Sequence, residues 1–260
     1  MPLSPDGTAT PLFCVHASSG SAYSYLELAR LLGADQPVYG IEAPGFDGDR
    51  EPVRSLHALS AEYAETLREF QPDGDFLLLG WSLGGVIAFD MARRLTAAGA
   101  RVRQVIMIDV SVPRVAELPP EKEIARRFLR DMLSAVGAPP TALDRVLAGQ
   151  PDEATSEAIF LAAESSGALP AELDADLLAE RYAVFRAHVE ASFGFEVTEP
   201  HHGRVVHLIA SESPLQYMRW DKVATGLTEH VVPGSHHSIW TGNSLLRLAG
   251  LTRAALAGAD

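Results

Sequence analysis

At 260 residues and 47% hydrophobic content, the chain has enough apolar material for a substantial buried core, as one large domain or two small ones. Its 34 acidic residues against 21 basic ones give a formal charge of -13, and no Lys/Arg-rich block offers a phosphate-tracking stripe, which argues against a nucleic-acid partner. The opening MPLSPDGTAT has neither the basic flank nor the apolar core of a secretion signal, and no apolar run spans a membrane, so a soluble, cytoplasmic protein is expected.

Strand-like runs recur along the chain: PLFCVH (11–16), PVYGIEA (37–43), FLLLGW (76–81), RQVIMIDV (103–110), RVVHLIA (204–210) and EHVVPG (229–234). Between the second and third, Leu56, Leu59, Tyr63, Leu67 and Phe70 fall three or four apart and predict a helix over 56–70. A second helical pattern runs from about Gly84 to Ala98 and stops at Gly99. Alternating strands and helices, with nearly all-apolar strands, predict an α/β class and a mostly parallel sheet covered on both faces. From about 114 to 200 no strand is expected. Helical stretches carrying Phe128, Leu129, Met132, Leu133, Val136, Phe160, Leu161, Tyr182, Phe185, Val189 and Phe193 are separated there by GAPP, GQPDE and SSGALP. That length exceeds a plain connection and reads as an insertion over a site, although its last helix, near 172–193, is equally suited to covering the sheet.

Gly80-Trp81-Ser82-Leu83-Gly84 fits Gly-x-Ser-x-Gly and lies between a predicted strand and a predicted helix. A nucleophile elbow requires that context: a strained turn exposes the serine, and small neighbours let backbone segments approach. The helix start places unpaired N–H groups and the positive dipole end where an oxyanion would develop. A serine hydroxyl needs a base and the base needs an orienting acid. VVPGSHHSIW, after the last strand, supplies His236 as the favoured base, with His237 pointing elsewhere. Two carboxylates compete for the acid, Asp109 at the end of RQVIMID and Glu212 in IASESP, both at carboxyl ends of strands where open α/β sheets build sites. The order Ser, Asp, His is that of the α/β-hydrolase architecture.

In FCVHASSGSAYSYLELARLL a strand runs through a small-residue loop into a helix, and Ala17 and Ser18 are candidates for the second backbone donor of an oxyanion hole, beside the N–H of Leu83. Cys14, the single cysteine, excludes an internal disulfide and reads as a buried apolar thiol; His16 reads as an oriented loop residue. The pairs His201-His202 and His236-His237 lack spaced partners, so no metal site is expected.

PLFCVHASSGSAYSYLELARLL, PVYGIEAPGFDGD, YAETLREFQPDGDFLLLGWSLGGVIAFDMARRL, VIMIDVSVP and HVVPGSHHSIW together resemble the thioesterase domains that release products from nonribosomal peptide synthetases and polyketide synthases. These blocks cover most of the chain outside 114–200. The resemblance implies one α/β-hydrolase domain over residues 1–260 with a helical lid at about 114–200, Ser82 as nucleophile, His236 as base and Asp109 as acid. This chain has His16-Ala17 where the family often has His-Pro. Trp81 is similar to the synthetase-terminal (type I) group, whereas free-standing editing enzymes often carry histidine there and tend to take their acid after the later strand, which favours Asp109 over Glu212.

The implied activity, in antibiotic or secondary-metabolite biosynthesis, is release of a peptidyl or polyketide chain from a carrier protein through an acyl-serine, by hydrolysis or macrocyclisation. The carrier's phosphopantetheine arm is covalently attached to that partner, so no soluble cofactor is expected. Carrier proteins are commonly acidic, so docking to this acidic chain must be local; Lys122, Arg126, Arg127 and Arg130 are candidates, or simply a solvated helix face. The alternatives are a type II proofreading thioesterase, a general small-ester hydrolase, and a non-catalytic interaction protein on the same scaffold.

Overall fold

The computed structural model describes residues 1–135, 141–167, 169–170 and 173–259; the expectations involving Val136, the GAPP turn at 137–140, residue 168 and a helix start at 172 lie outside them. In chain order the elements are β1 (Pro2–Ser4), β2 (Leu12–Val15), α1 (Leu26–Leu32), β3 (Val38–Ile41), α2 (Leu56–Phe70), β4 (Phe76–Trp81), α3 (Leu83–Ala97) and β5 (Val102–Ile108). An insertion follows, α4 (Glu121–Ala135), α5 (Thr141–Leu147), α6 (Ser156–Ser165) and α7 (Ala175–Phe193), before β6 (His201–Ala210), β7 (Ala224–Val232) and α8 (Gly242–Ala257). The strands form one sheet in the order β1-β3-β2-β4-β5-β6-β7. Among the described residues, only β1 runs antiparallel to its neighbour.

Strand periodicity explains why both faces are covered, because alternate residues point to opposite sides. Phe13 and Val15 of β2, with Leu78 of β4 and Val105 and Met107 of β5, pack under α2 and α3. Leu12 and Cys14, with Leu77, Leu79, Ile106 and Ile108, pack under α1 and α8. The insertion has its own core of Ile124, Phe128, Leu129, Phe160, Tyr182 and Phe185. Helix α7 serves both purposes: Tyr182 and Phe185 belong to that core, while Ala191 joins the sheet's.

The sequence pattern and the structure differ mainly at strand ends. Strand β1 is unforeseen, since three residues carry no period; it is held as an edge by pairing with β3, and the Met1 carbonyl accepts the Gly40 N–H. Strand β5 stops at Ile108 rather than 110 because Asp109 turns to φ +49°. Strand β7 begins at Ala224 rather than 229: its early residues, Ala-Thr-Gly-Leu-Thr, are mostly exposed and carry no apolar alternation, as an edge strand allows, and its ladder to β6 defines it.

Polar groups also brace the frame. Asp90 of α3 is buried and accepts hydrogen bonds from Ser60 of α2 (2.5 Å), Arg93 (2.7 Å) and Arg94 (2.8 Å). Burial raises the carboxyl's pKa, but the hydrogen bonds from Ser60 and Arg94 and the two guanidinium charges outweigh it and hold Asp90 below the ordinary carboxylate range. Four histidines are buried, and burial lowers all four: His16 to about 3, His188 and His207 to about 4, and His201 in the same direction. These imidazoles stay neutral in the fold, whereas in the unfolded chain they bind protons below their ordinary value of 6.5. Stability therefore falls as pH drops from 6.5 toward about 4. The contribution of Asp90 has the opposite origin and a lower window: it is present above the ordinary carboxylate value of 3.8 and lost as pH falls below it. Thermal melts across pH are expected to show a first decline between about pH 6.5 and pH 4 and a second below; a melting temperature unchanged from about pH 7 to about pH 4.5 would contradict the neutral buried imidazoles.

Candidate active site

The turn between β4 and α3 holds Ser82 at φ +54°, ψ -126°. A non-glycine residue in that region is strained and persists only when its surroundings over-determine it. Here they do. The Ser82 N–H donates to the Ile108 carbonyl (3.0 Å) and the Ser82 carbonyl accepts from the Gly85 N–H (3.1 Å). Glycine is required around it by close approach: a Cβ on Gly80 would lie 2.1 Å from the Gly84 backbone, and one on Gly84 would lie 2.3 Å from the Val15 carbonyl oxygen. The close packing seats the first turn of α3 against the end of β2. As the first residue of that helix, Leu83 has no intrahelical acceptor for its N–H.

Asp109 follows β5 at the same sheet edge and is 2% exposed. Its Oδ1 accepts the Ala210 N–H (2.9 Å); its Oδ2 accepts the Ser213 hydroxyl (2.8 Å) and the His236 Nδ1–H (2.5 Å). Burial raises this carboxyl, but the His236 hydrogen bond and charge, with the Ala210 and Ser213 donors, more than offset it and hold Asp109 below the usual carboxylate range. Behind it, His207 Nε2 accepts the Val110 N–H (3.2 Å).

Binding Asp109 through Nδ1 leaves Nε2 as the ring nitrogen of His236 available for other chemistry. The Trp81 ring lies against this imidazole, centroids 4.9 Å apart and planes at 32°. His236 and Ser82 line one cleft of 690 Å³, with Ser18, Leu83 and Asp109. Their chain neighbours Ala17, Trp81 and His237 line a second cavity of 500 Å³, which Tyr23, Phe128 and Trp240 make predominantly apolar. Helix α4 contributes to this cavity, and its Asp131 accepts the His237 Nε2–H (2.8 Å).

The structure thus brings together Ser82, Asp109, His236, Leu83 and Ser18, with buried Ala17 beside them. It does not bring Glu212 to the imidazole: that residue is exposed, and its backbone N–H donates to the Gly234 carbonyl (3.0 Å). Residues the motif reading missed include Ser213, in the very loop that offered Glu212, and His207, inside a strand. Tyr25 is another: its hydroxyl donates to the Val15 carbonyl (2.6 Å) and accepts the Trp81 N–H (2.9 Å), tying β2 to the elbow. None carries a motif that marks it: Ser213 is one more polar loop residue after β6, His207 stands inside β6, and Tyr25 directly precedes α1. Cys14 is buried and its thiol is pushed up by burial. Of the insertion's basic candidates, Lys122 pairs with Asp152, and Arg126 and Arg127 pair with Glu123. Among the described residues no cluster of three or more His, Cys, Asp or Glu side chains is arranged to hold a metal ion, and no helix is long and apolar enough to cross a membrane.

A family model for the thioesterase domain matches residues 10–254. Malpibaldin synthetase of Mortierella alpina is 39% identical over 108 residues, which cover 42% of this chain but 2% of that protein. Thioesterase pytI of Aspergillus terreus is 40% identical over 124 residues, 43% of this chain and 40% of that protein. Among solved structures, a four-domain nonribosomal peptide synthetase, AB3403, superposes with a TM-score of 0.83 at 23% identity, covering 98% of this chain and 20% of that one. The family match runs through both halves of the sheet and the helical insertion between them, and the chain belongs to the thioesterase domain family.

Proposed function

We propose that this chain cleaves an acyl thioester presented on the phosphopantetheine arm of an acyl or peptidyl carrier protein, through an acyl-Ser82 intermediate. The observation that carries the reading is the buried, fully hydrogen-bonded Asp109 holding His236 by Nδ1 in the same cleft as a strained elbow serine. His236 Nε2 takes the Ser82 proton as Oγ attacks the thioester carbonyl. The N–H of Leu83 and a donor from the Ala17-Ser18 loop receive the oxyanion. Collapse breaks the C–S bond, and the proton held by His236 leaves with the thiol. The acyl-serine then passes to water, giving an acid, or to a hydroxyl or amine of its own chain, giving a ring.

Nucleophile, base, acid and oxyanion donors all come from the chain, so none of these steps draws on a soluble cofactor. The insertion acts as a lid: α4 supplies the apolar wall of the second cavity, and an acyl chain seated there is shielded from water. The two cavities favour chain release over removal of acetyl groups, since 690 Å³ and 500 Å³ exceed what a two-carbon acyl group fills. Synthetases such as the Mortierella relative are the setting this implies, with a carrier protein as partner.

Two measurements test the reading. Across a panel of short and long acyl-N-acetylcysteamine thioesters and matched oxygen esters, thiol release is expected to favour long acyl groups; preference for acetyl thioesters would indicate editing, and activity on oxygen esters alone a general esterase. In steady-state kinetics Asp109→Asn is expected to lower kcat on the order of 10⁴-fold, while Glu212→Gln leaves it within about 2-fold. The reverse pattern would transfer the acid role to Glu212.

A further inference from the structure

Two stacked imidazoles lie beneath the oxyanion loop and take no part in the reaction above. His16, at the end of β2, and His188, from α7 of the insertion, are both 0% exposed, with ring centroids 4.8 Å apart and planes at 17°. His16 Nδ1–H donates to the Ala17 carbonyl (2.7 Å), and its Nε2 accepts the Tyr63 hydroxyl (2.7 Å). His188 Nδ1–H donates to the Ser18 carbonyl (2.9 Å), across 170 positions of chain. The two successive carbonyls of the loop are therefore each held by an imidazole. Helix α7 also presses on the loop directly: a Cβ on Gly20 would lie 2.8 Å from Val184 Cγ1.

A trans peptide is planar, so anchoring a carbonyl aims the N–H of the next residue the opposite way. His16 fixes the Ala17-Ser18 plane and His188 the Ser18-Ser19 plane, so Ser18 is clamped on both sides. Among the described residues His188 Nε2 has no hydrogen-bond partner, and it is buried. Leaving that nitrogen unpaired is a cost that a leucine of similar size would avoid, so filling space does not account for an imidazole here. The Nδ1–H bond to Ser18 does. We infer that His188 is a positioning residue, through which the seating of α7 sets the orientation of the oxyanion loop. The inference rests on the acyl-transfer reading and adds to it a coupling: Ser18 is clamped on its second side, and the loop that carries the oxyanion donor fully held, only when the insertion is docked.

The test uses three variants, each assayed for thiol release and melting temperature. Asn places its amide N–H where His carries Nδ1, whereas Gln places it near Nε2 and Leu has no donor. His188→Gln and His188→Leu are expected to lower kcat about 10-fold to about 100-fold with KM within about 2-fold, the pattern of a weakened transition-state contact. His188→Asn is expected to stay within about 3-fold of the parent, although it fills the site less well than Gln. Affinity for an alkylboronic acid, whose adduct carries the oxyanion, should fall in step with kcat. Equal losses in Asn and Gln, losses that follow melting temperature, or an effect on KM alone would overturn the inference while leaving acyl transfer intact. Absence of turnover in the parent enzyme would overturn both.

Discussion

The strained backbone at Ser82 is the constraint on which the site depends. Holding a serine at φ +54° costs about 1–3 kcal/mol, and the fold sustains it by bonding both sides of the turn and removing every Cβ that would keep β4, α3 and β2 apart. The first turn of α3 then lies directly after the hydroxyl, with the Leu83 N–H lacking an intrahelical acceptor. Asp109, at φ +49°, is the other non-glycine residue with positive φ among those described, and it too sits at a carboxyl strand end. Strain is thus confined to the two ends of neighbouring strands that must present side chains into one cleft.

The histidines divide into two kinds according to their partners. His236 stands in a turn, partly exposed, opposite a buried carboxylate that accepts three hydrogen bonds. His16, His188 and His207 lie where burial suppresses protonation, and each offers one nitrogen to a backbone group. The same side chain stands in one case against a carboxylate in an open cleft and in the others as a buried, neutral strut. His16 and His188 brace the loop of Ala17 and Ser18, while His207 braces the backbone beside Asp109.

Much of this was legible in the sequence. Helix α2 matches its apolar spacing at both ends, and the strand-turn-helix around Ser82 follows from an apolar run, a glycine-flanked serine and an amphipathic continuation. The competing acids were not separable by position, since Asp109 and Glu212 both follow strands; the choice depends on where a loop carries its side chain, which periodicity does not encode. Strand β1 was invisible because its only reason to exist is the edge of β3. The link from His188 to Ser18 joins elements far apart in the chain, and a lone histidine on a helix face gives no sign of which backbone carbonyl it meets.

The helical insertion joins these parts. It has an apolar core of its own, and ion pairs of Glu190 with Arg54 and of Arg186 with Glu121 fasten α7 to the body of the protein and to α4. A surface so attached both walls the apolar cavity and touches the loop of Ala17 and Ser18. The most direct test of the account is peptide mapping by mass spectrometry after rapid acid quench of the enzyme with a long-chain acyl thioester. It predicts the acyl mass on the peptide containing Ser82, and on no other. Turnover with that peptide unmodified, or with the acyl group on a different side chain, would contradict it.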